Sequence, residues 1–74
     1  QFLDIRNKLG RVLIEAGALE DAVAELQAAV DARPSFAAAR ANLGLALFRA
    51  GRLHEAEAQW RRALEQSPGN AQVS

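Results

Sequence analysis

The chain has 74 residues, of which nine are basic and nine are acidic, so its formal net charge is zero. That length allows one small domain, and a hydrophobic content of 50% argues against intrinsic disorder. The absence of cysteine excludes disulfide reinforcement, the balanced charge weakens any assignment to non-specific nucleic-acid binding, and no apolar stretch is long enough to cross a membrane.

The first half of the chain predicts two helices. The first helix should cover residues 3–16, because apolar side chains recur there at spacings of three and four. These are Ile5, Leu9, Val12, Leu13 and Ala16. Gly17 should then allow a tight reversal. A second helix is predicted over residues 19–33, with Pro34 ending it and Ser35 placed to cap the helix that follows. Its apolar stripe comprises Leu19, Ala22, Val23, Leu26, Ala29 and Val30.

The second half of the chain repeats this organisation. The third predicted helix carries Ala39, Leu43, Ala46, Leu47 and Ala50, and the fourth carries Leu53, Ala56, Trp60, Ala63 and Leu64. Gly51 separates them, as Gly17 separates the first two. A turn at 67–70 and the start of a fifth helix at 71–74 should follow.

An internal repeat explains this symmetry. Residues 3–36 align with residues 37–70 without a gap, and 11 of the 34 aligned positions are identical, including the glycines and the proline. Gly10 and Gly44 lie inside predicted helices, where glycine costs about 1 kcal/mol relative to alanine. Their recurrence predicts a close helix crossing in each repeat. Leu26 and Trp60 should fill wider gaps between small alanines of the second helices.

These residues resemble the tetratricopeptide repeat, whose 34-residue pattern is W-x2-L-G-x2-Y, A-x3-F and P. The matches in the first repeat are Leu9, Gly10, Leu13, Ala22, Leu26 and Pro34, and those in the second are Leu43, Gly44, Leu47, Ala56, Trp60 and Pro68. Arg6 and Arg40 depart from the pattern because they stand where the family usually has tryptophan. Armadillo and HEAT repeats are longer, and the ankyrin T-P-L-H motif is absent.

The resemblance implies an all-α fold of antiparallel helix pairs, stacked as a short right-handed α-solenoid with four helices and the start of a fifth. We expect a single domain over 1–74, with repeat one at 3–36, repeat two at 37–70 and a third unit or cap beginning at 71–74. We also expect the chain to be part of a longer protein of bacterial type, located in the cytoplasm, with the periplasm as the alternative.

The sequence offers no constellation for chemistry. His54 is the only histidine and lacks the convergent ligands that a metal needs. It lies at the opposite end of the fourth predicted helix from Ser67, too far away for the two to form a catalytic pair. The doublet Arg61-Arg62 is surrounded by glutamates, which favours a solvated helix face over a nucleic-acid site. We therefore expect no enzyme activity, no catalytic residue, no metal, no cofactor, and neither nucleic acid nor membrane as a partner.

The resemblance implies that the first helix of each repeat lines a concave groove that binds a peptide or an amphipathic helix of another protein. The predicted groove residues are Asp4, Asn7, Arg11, Glu15, Ala38, Ala41, Asn42, Leu45, Phe48 and Arg49. Phe48 could equally cover the helix interface, which is the interpretation favoured for Ile14. A carboxylate clamp for chaperone tails is not expected, because Asn7 and Arg11 stand where it needs lysine and asparagine.

Two further functional classes remain open. The chain could be a self-assembly module that stacks end to end through Trp60, Ala63 and Leu64, forming a homo-oligomer. Residues 3–36 carry four basic and six acidic side chains, and residues 37–70 carry five basic and three acidic ones. Opposite net charges would favour such a contact. Alternatively, an enzymatic or nucleic-acid-binding part could lie outside this segment.

Overall fold

The computed structural model describes residues 2–66. It contains α1 (Phe2–Glu15), α2 (Leu19–Ala32), α3 (Ala37–Arg49) and α4 (Leu53–Gln66), and these residues include no strand. Each helix packs against the next one, and α1 also contacts α3. The prediction of an all-α fold of repeated helix pairs is therefore confirmed. The turn predicted at 67–70 and the fifth helix predicted at 71–74 lie outside the described residues.

The reversal inside each pair depends on a glycine. Gly17 and Gly51 have φ angles of +82° and +85°, in the left-handed region where a side chain is strained. After Gly17, the Ala18 amide donates to the Leu13 carbonyl at 2.9 Å, while the Gly17 amide donates to Ile14 at 3.0 Å. This pair of hydrogen bonds satisfies the last carbonyls of α1 and ends the helix. The same pattern recurs at Gly51.

The turn that joins the two repeats differs from the sequence prediction in the residue that precedes α3. The residue before α3 is Phe36, which makes no side-chain cap bond, so the prediction that Ser35 caps this helix is wrong. Phe36 occupies the cap position instead and packs partly buried against the core. The buried Arg40 fastens the turn, because it donates to the Pro34 carbonyl at 2.8 Å and to Gln59 Oε1 at 3.0 Å.

The core lies between the two helix pairs and is built mainly by α2 and α3. Its buried members are Ile14, Ala22, Leu26, Ala29, Val30, Ala39, Leu43, Ala46, Leu47 and Ala56. From α1, however, Gly10 and Ile14 are buried, whereas Ile5, Leu9 and Val12 are exposed. The face of α1 that packs against the other helices is the one that carries Gly10 and Ile14.

The helical glycines make room for large side chains. A Cβ on Gly10 would lie 2.5 Å from Leu26 Cγ, and a Cβ on Gly44 would lie 2.5 Å from Trp60 Nε1. The close crossing predicted at these glycines is therefore confirmed. Leu26 and Trp60, which the sequence assigns to the wider gaps between small side chains, each lie directly over the glycine of their own repeat.

Candidate functional site

A polar cluster joins the first helices of the two repeats. Asn42 on α3 donates from Nδ2 to Asn7 Oδ1 on α1 at 2.8 Å, and Arg11 donates to Asn42 Oδ1 at 3.4 Å. Arg11 also approaches the Glu15 carboxylate at 3.9 Å. Three of the predicted groove residues are thus brought together across the repeat boundary, and a fourth lies beside them. Asn42, which is half-buried, is the central member of the cluster.

The remaining groove candidates differ in how open they are. Asp4, Ala38 and Arg49 are exposed on α1 and α3. Leu45 is half-buried and packs against the core, so only part of its side chain is accessible to a partner. The Arg49 side chain makes no hydrogen bond or ion pair within residues 2–66. A guanidinium in that state can receive a carboxylate from outside.

Ala41 and Phe48 contact α4 rather than the polar cluster. The Trp60 indole donates from Nε1 to the Ala41 carbonyl at 3.1 Å. The Phe48 and Trp60 rings lie 5.7 Å apart between centroids with an angle of 42° between their planes, which is within the range of favourable aromatic pairs. Phe48 is exposed, so this pair forms an aromatic edge where the groove meets the α4 side of the molecule.

The three residues predicted for the terminal face have different surroundings. Trp60 lies across α3, over Gly44 and beside Phe48, with about a third of its surface left exposed. Ala63 is half-buried, and Leu64 is exposed. Only part of this set therefore presents apolar surface to solvent.

An ion-pair cluster lies near the turn between α3 and α4. Arg52 contacts Glu55 at 2.6 Å and also reaches Glu20 on α2 at 3.2 Å, so it links the two repeats. The hydrogen bond from Arg52 lowers the pKa of the Glu55 carboxyl. The same contact raises the pKa of Arg52. All three side chains are well exposed, so these are surface ion pairs that contribute little to stability.

The described residues contain little that could perform chemistry. His54 is exposed in the first turn of α4, and no group of three or more histidine and acidic side chains able to hold a metal lies within residues 2–66. Among the same residues, no helix is long and apolar enough to span a membrane.

One surface was not predicted from the sequence. Phe2, Ile5, Leu9 and Val12 form an exposed apolar strip along α1. The signal was present just before the aligned repeats, because Phe2 and Phe36 are also separated by one repeat length. Extending the alignment by one residue would have grouped Phe2 with the α1 stripe.

Comparison with known proteins agrees with the geometry. The tetratricopeptide repeat family model matches residues 7–71, which span both helix pairs. Comparison with curated proteins gives no match. The match covers most of the chain, and the structure supplies the helix pairs and the glycine crossings that recur in both repeats. The chain belongs to the tetratricopeptide repeat family.

Proposed function

We propose that the chain is a non-catalytic protein–protein interaction module, which holds a peptide or an amphipathic helix of a partner in the groove between α1 and α3. The family generally mediates contacts between proteins, which supports the general class. The observation that carries the specific proposal is the bridge from Asn42 to Asn7 and Arg11. It joins the first helices of both repeats into one surface whose polar groups are ordered in advance. Such preorganisation lowers the entropic cost of binding.

The chemistry of the groove defines the partner segment. Phe48 and the accessible part of Leu45 offer apolar contact, and Arg49 offers a guanidinium that has no partner within residues 2–66. The Asn42 side-chain amide has two donor hydrogens and two acceptor lone pairs, so it can bond a peptide backbone while it keeps its bonds to Asn7 and Arg11. The matching segment therefore carries one or two apolar anchors with a carboxylate beside them, presented from an extended strand or one face of a helix.

The test begins with a peptide selected on the folded 74-residue chain from a random linear peptide library. The chosen peptide is synthesised with a fluorescent label, and its affinity is measured by anisotropy. Combining Phe48→Ala with Arg49→Ala should weaken binding by at least about tenfold, as is usual for central contacts. The helical circular dichroism should not change.

Two matched controls remove the same side-chain types from outside the groove. Arg62→Ala changes an exposed arginine of α4, and Phe2→Ala changes an exposed phenylalanine at the beginning of α1. Both should bind the peptide like the parent. Equal affinity of the groove double variant and the parent, or a loss caused by the controls instead, would place the binding surface elsewhere and overturn the proposal.

A further inference from the structure

Aligned positions of the two repeats differ in how exposed their apolar side chains are. This difference identifies an apolar face on repeat two. The repeat alignment pairs Ile14 with Phe48 and Val30 with Leu64. Ile14 and Val30 are 2% and 4% exposed, whereas Phe48 and Leu64 are 52% and 62% exposed. The repeat-one residues are covered because α3 packs over α1 and α2. Phe48, Leu64 and the exposed part of Trp60 form what we name the end face.

A second face differs in the same way. We name Phe2, Ile5, Leu9 and Val12 the leading strip, and these side chains are 43–83% exposed. Their counterparts in repeat two, in α3 and just before it, are buried or half-buried, which we attribute to the packing of α3 against repeat one. These counterparts are Phe36, Ala39, Leu43 and Ala46, of which the last three are completely buried and the first is half-buried. The leading strip is thus the uncovered equivalent of a buried surface.

We propose that the leading strip of one copy docks on the end face of a second copy, so that chains associate head to tail. Within one chain, α3 already packs against repeat one in this way. The leading strip and the end face are the two surfaces that would form a second contact of the same kind. Over the whole repeats the net charges have opposite signs, because repeat one carries an excess of acidic side chains and repeat two an excess of basic ones, which gives a weak attraction between copies that salt screens. A contact between two different surfaces of the same chain extends into longer assemblies or closes into a ring.

The contact between copies should be weaker than the internal junction. Internally, Arg52 reaches Glu20 across the repeat boundary at 3.2 Å, but the corresponding positions at the new junction hold Ala18 and His54. The intermolecular contact therefore relies on apolar burial. Both faces also carry larger side chains than their internal counterparts, so the helices would lie further apart. We expect a reversible, concentration-dependent association that does not require a groove ligand.

The test uses one variant for each face. Ile5→Glu combined with Val12→Glu blocks the leading strip, and Leu64→Glu blocks the end face. All three side chains are more than 60% exposed, so the variants should keep the parent helical content. Ile5→Ser with Val12→Ser is a milder version of the first variant. Ala58→Glu, on an exposed position of α4, controls for the added charge.

Sedimentation between about 10 µM and about 1 mM, a range suited to weak association, measures the outcome. The parent and Ala58→Glu should exceed the 8.0 kDa monomer with a mass that grows with concentration. Each face variant alone should associate at least about tenfold more weakly. An equal mixture of the two face variants should form a 1:1 pair, because each supplies the face that the other lacks.

Three results would overturn the proposal. A parent that stays monomeric over this range shows that the two faces do not bind each other. A face variant that alone associates like the parent indicates a symmetric contact through one face. A mixture that remains monomeric shows that the two faces are not complementary. None of these results depends on peptide binding in the groove, because the substituted positions lie outside the proposed groove set.

Discussion

Replacing each helical glycine by alanine should separate steric cost from helix propensity. Alanine gains about 1 kcal/mol over glycine inside a helix, so both substitutions would stabilise the chain if space allowed. At Gly10, however, the new Cβ would lie 2.5 Å from both Cγ and Cδ2 of Leu26. At Gly44 it would lie 2.5 Å from Nε1 of Trp60. The outcome therefore depends on which neighbouring side chain can move.

The two neighbours differ in their freedom. Leu26 is completely buried, so Gly10→Ala overpacks a closed site at a cost of about 1–3 kcal/mol. After the gain in propensity, we expect a net destabilisation of about 1–2 kcal/mol. Trp60 is 37% exposed and can turn outward, losing its bond to the Ala41 carbonyl, which is worth about 1 kcal/mol. Gly44→Ala should therefore be nearly neutral.

Thermal unfolding followed by circular dichroism measures both effects, since 1 kcal/mol corresponds to about 4–8 °C in a domain of this size. Trp60 is the only tryptophan, so its emission should shift to the red in Gly44→Ala and remain unchanged in Gly10→Ala. The larger Gly44→Leu should destabilise by at least about 1–3 kcal/mol. A Gly10→Ala variant that melts at or above the parent temperature would refute the close-packing argument.

Three more predictions follow from single contacts. Ala56→Leu should lower the free energy of unfolding by about 1–3 kcal/mol, because the Ala56 side chain is buried in the core. Ala58→Leu, at an exposed position, should melt within a few degrees of the parent. Equal melting temperatures of the two variants would contradict this. Gln59→Glu places a carboxylate beside Arg40, as Glu25 stands beside Arg6, and should stabilise the folded chain by about 1 kcal/mol near pH 7. This gain should be present above the ordinary glutamate pKa and disappear in acid. A pH-independent gain would refute the ion pair. Arg52→Met removes the hydrogen bond that lowers the pKa of Glu55, so this pKa should return to its ordinary value in an NMR titration. The stabilisation from the depressed pKa, which in the parent is lost as the pH falls through that pKa, should then be absent. An unchanged pKa would show that Arg52 is not its cause.

The repeat could be predicted because several independent signals agree. The glycine at each reversal, the proline after each helix pair and the apolar period occur at the same place in both repeats, and each has a local physical cause. The helix bounds were accordingly predicted to within one residue for α1 and α2. Ser35 is not the cap because Phe36, which is partly buried against the core, occupies the position before α3; local sequence does not show that burial.

The surfaces were harder to predict because α1 has two apolar faces. Helical periodicity identifies Ile5, Leu9 and Val12 as one stripe, but it does not say whether that stripe meets α2 or a neighbouring repeat. Burial in repeat two gives the answer, because the equivalent stripe there contacts repeat one. The same limit applies to Phe48, whose contact with Trp60 depends on the bulk of tryptophan at a position that is leucine in repeat one. Neighbouring repeats, rather than local sequence, determine these surfaces.

The most direct test of the proposed function is an NMR map of the 74-residue chain with the library-selected peptide bound. The proposal predicts that the largest shifts occur at the Asn42 side-chain amide and at the backbone of Asn7, Leu45 and Arg49. It also predicts that residues on the outer surfaces of α2 and α4, such as Ala24 and Ala58, change little. Shifts confined to those outer surfaces, with the Asn42 amide unaffected by a saturating peptide, would contradict the assignment of the groove as the binding site.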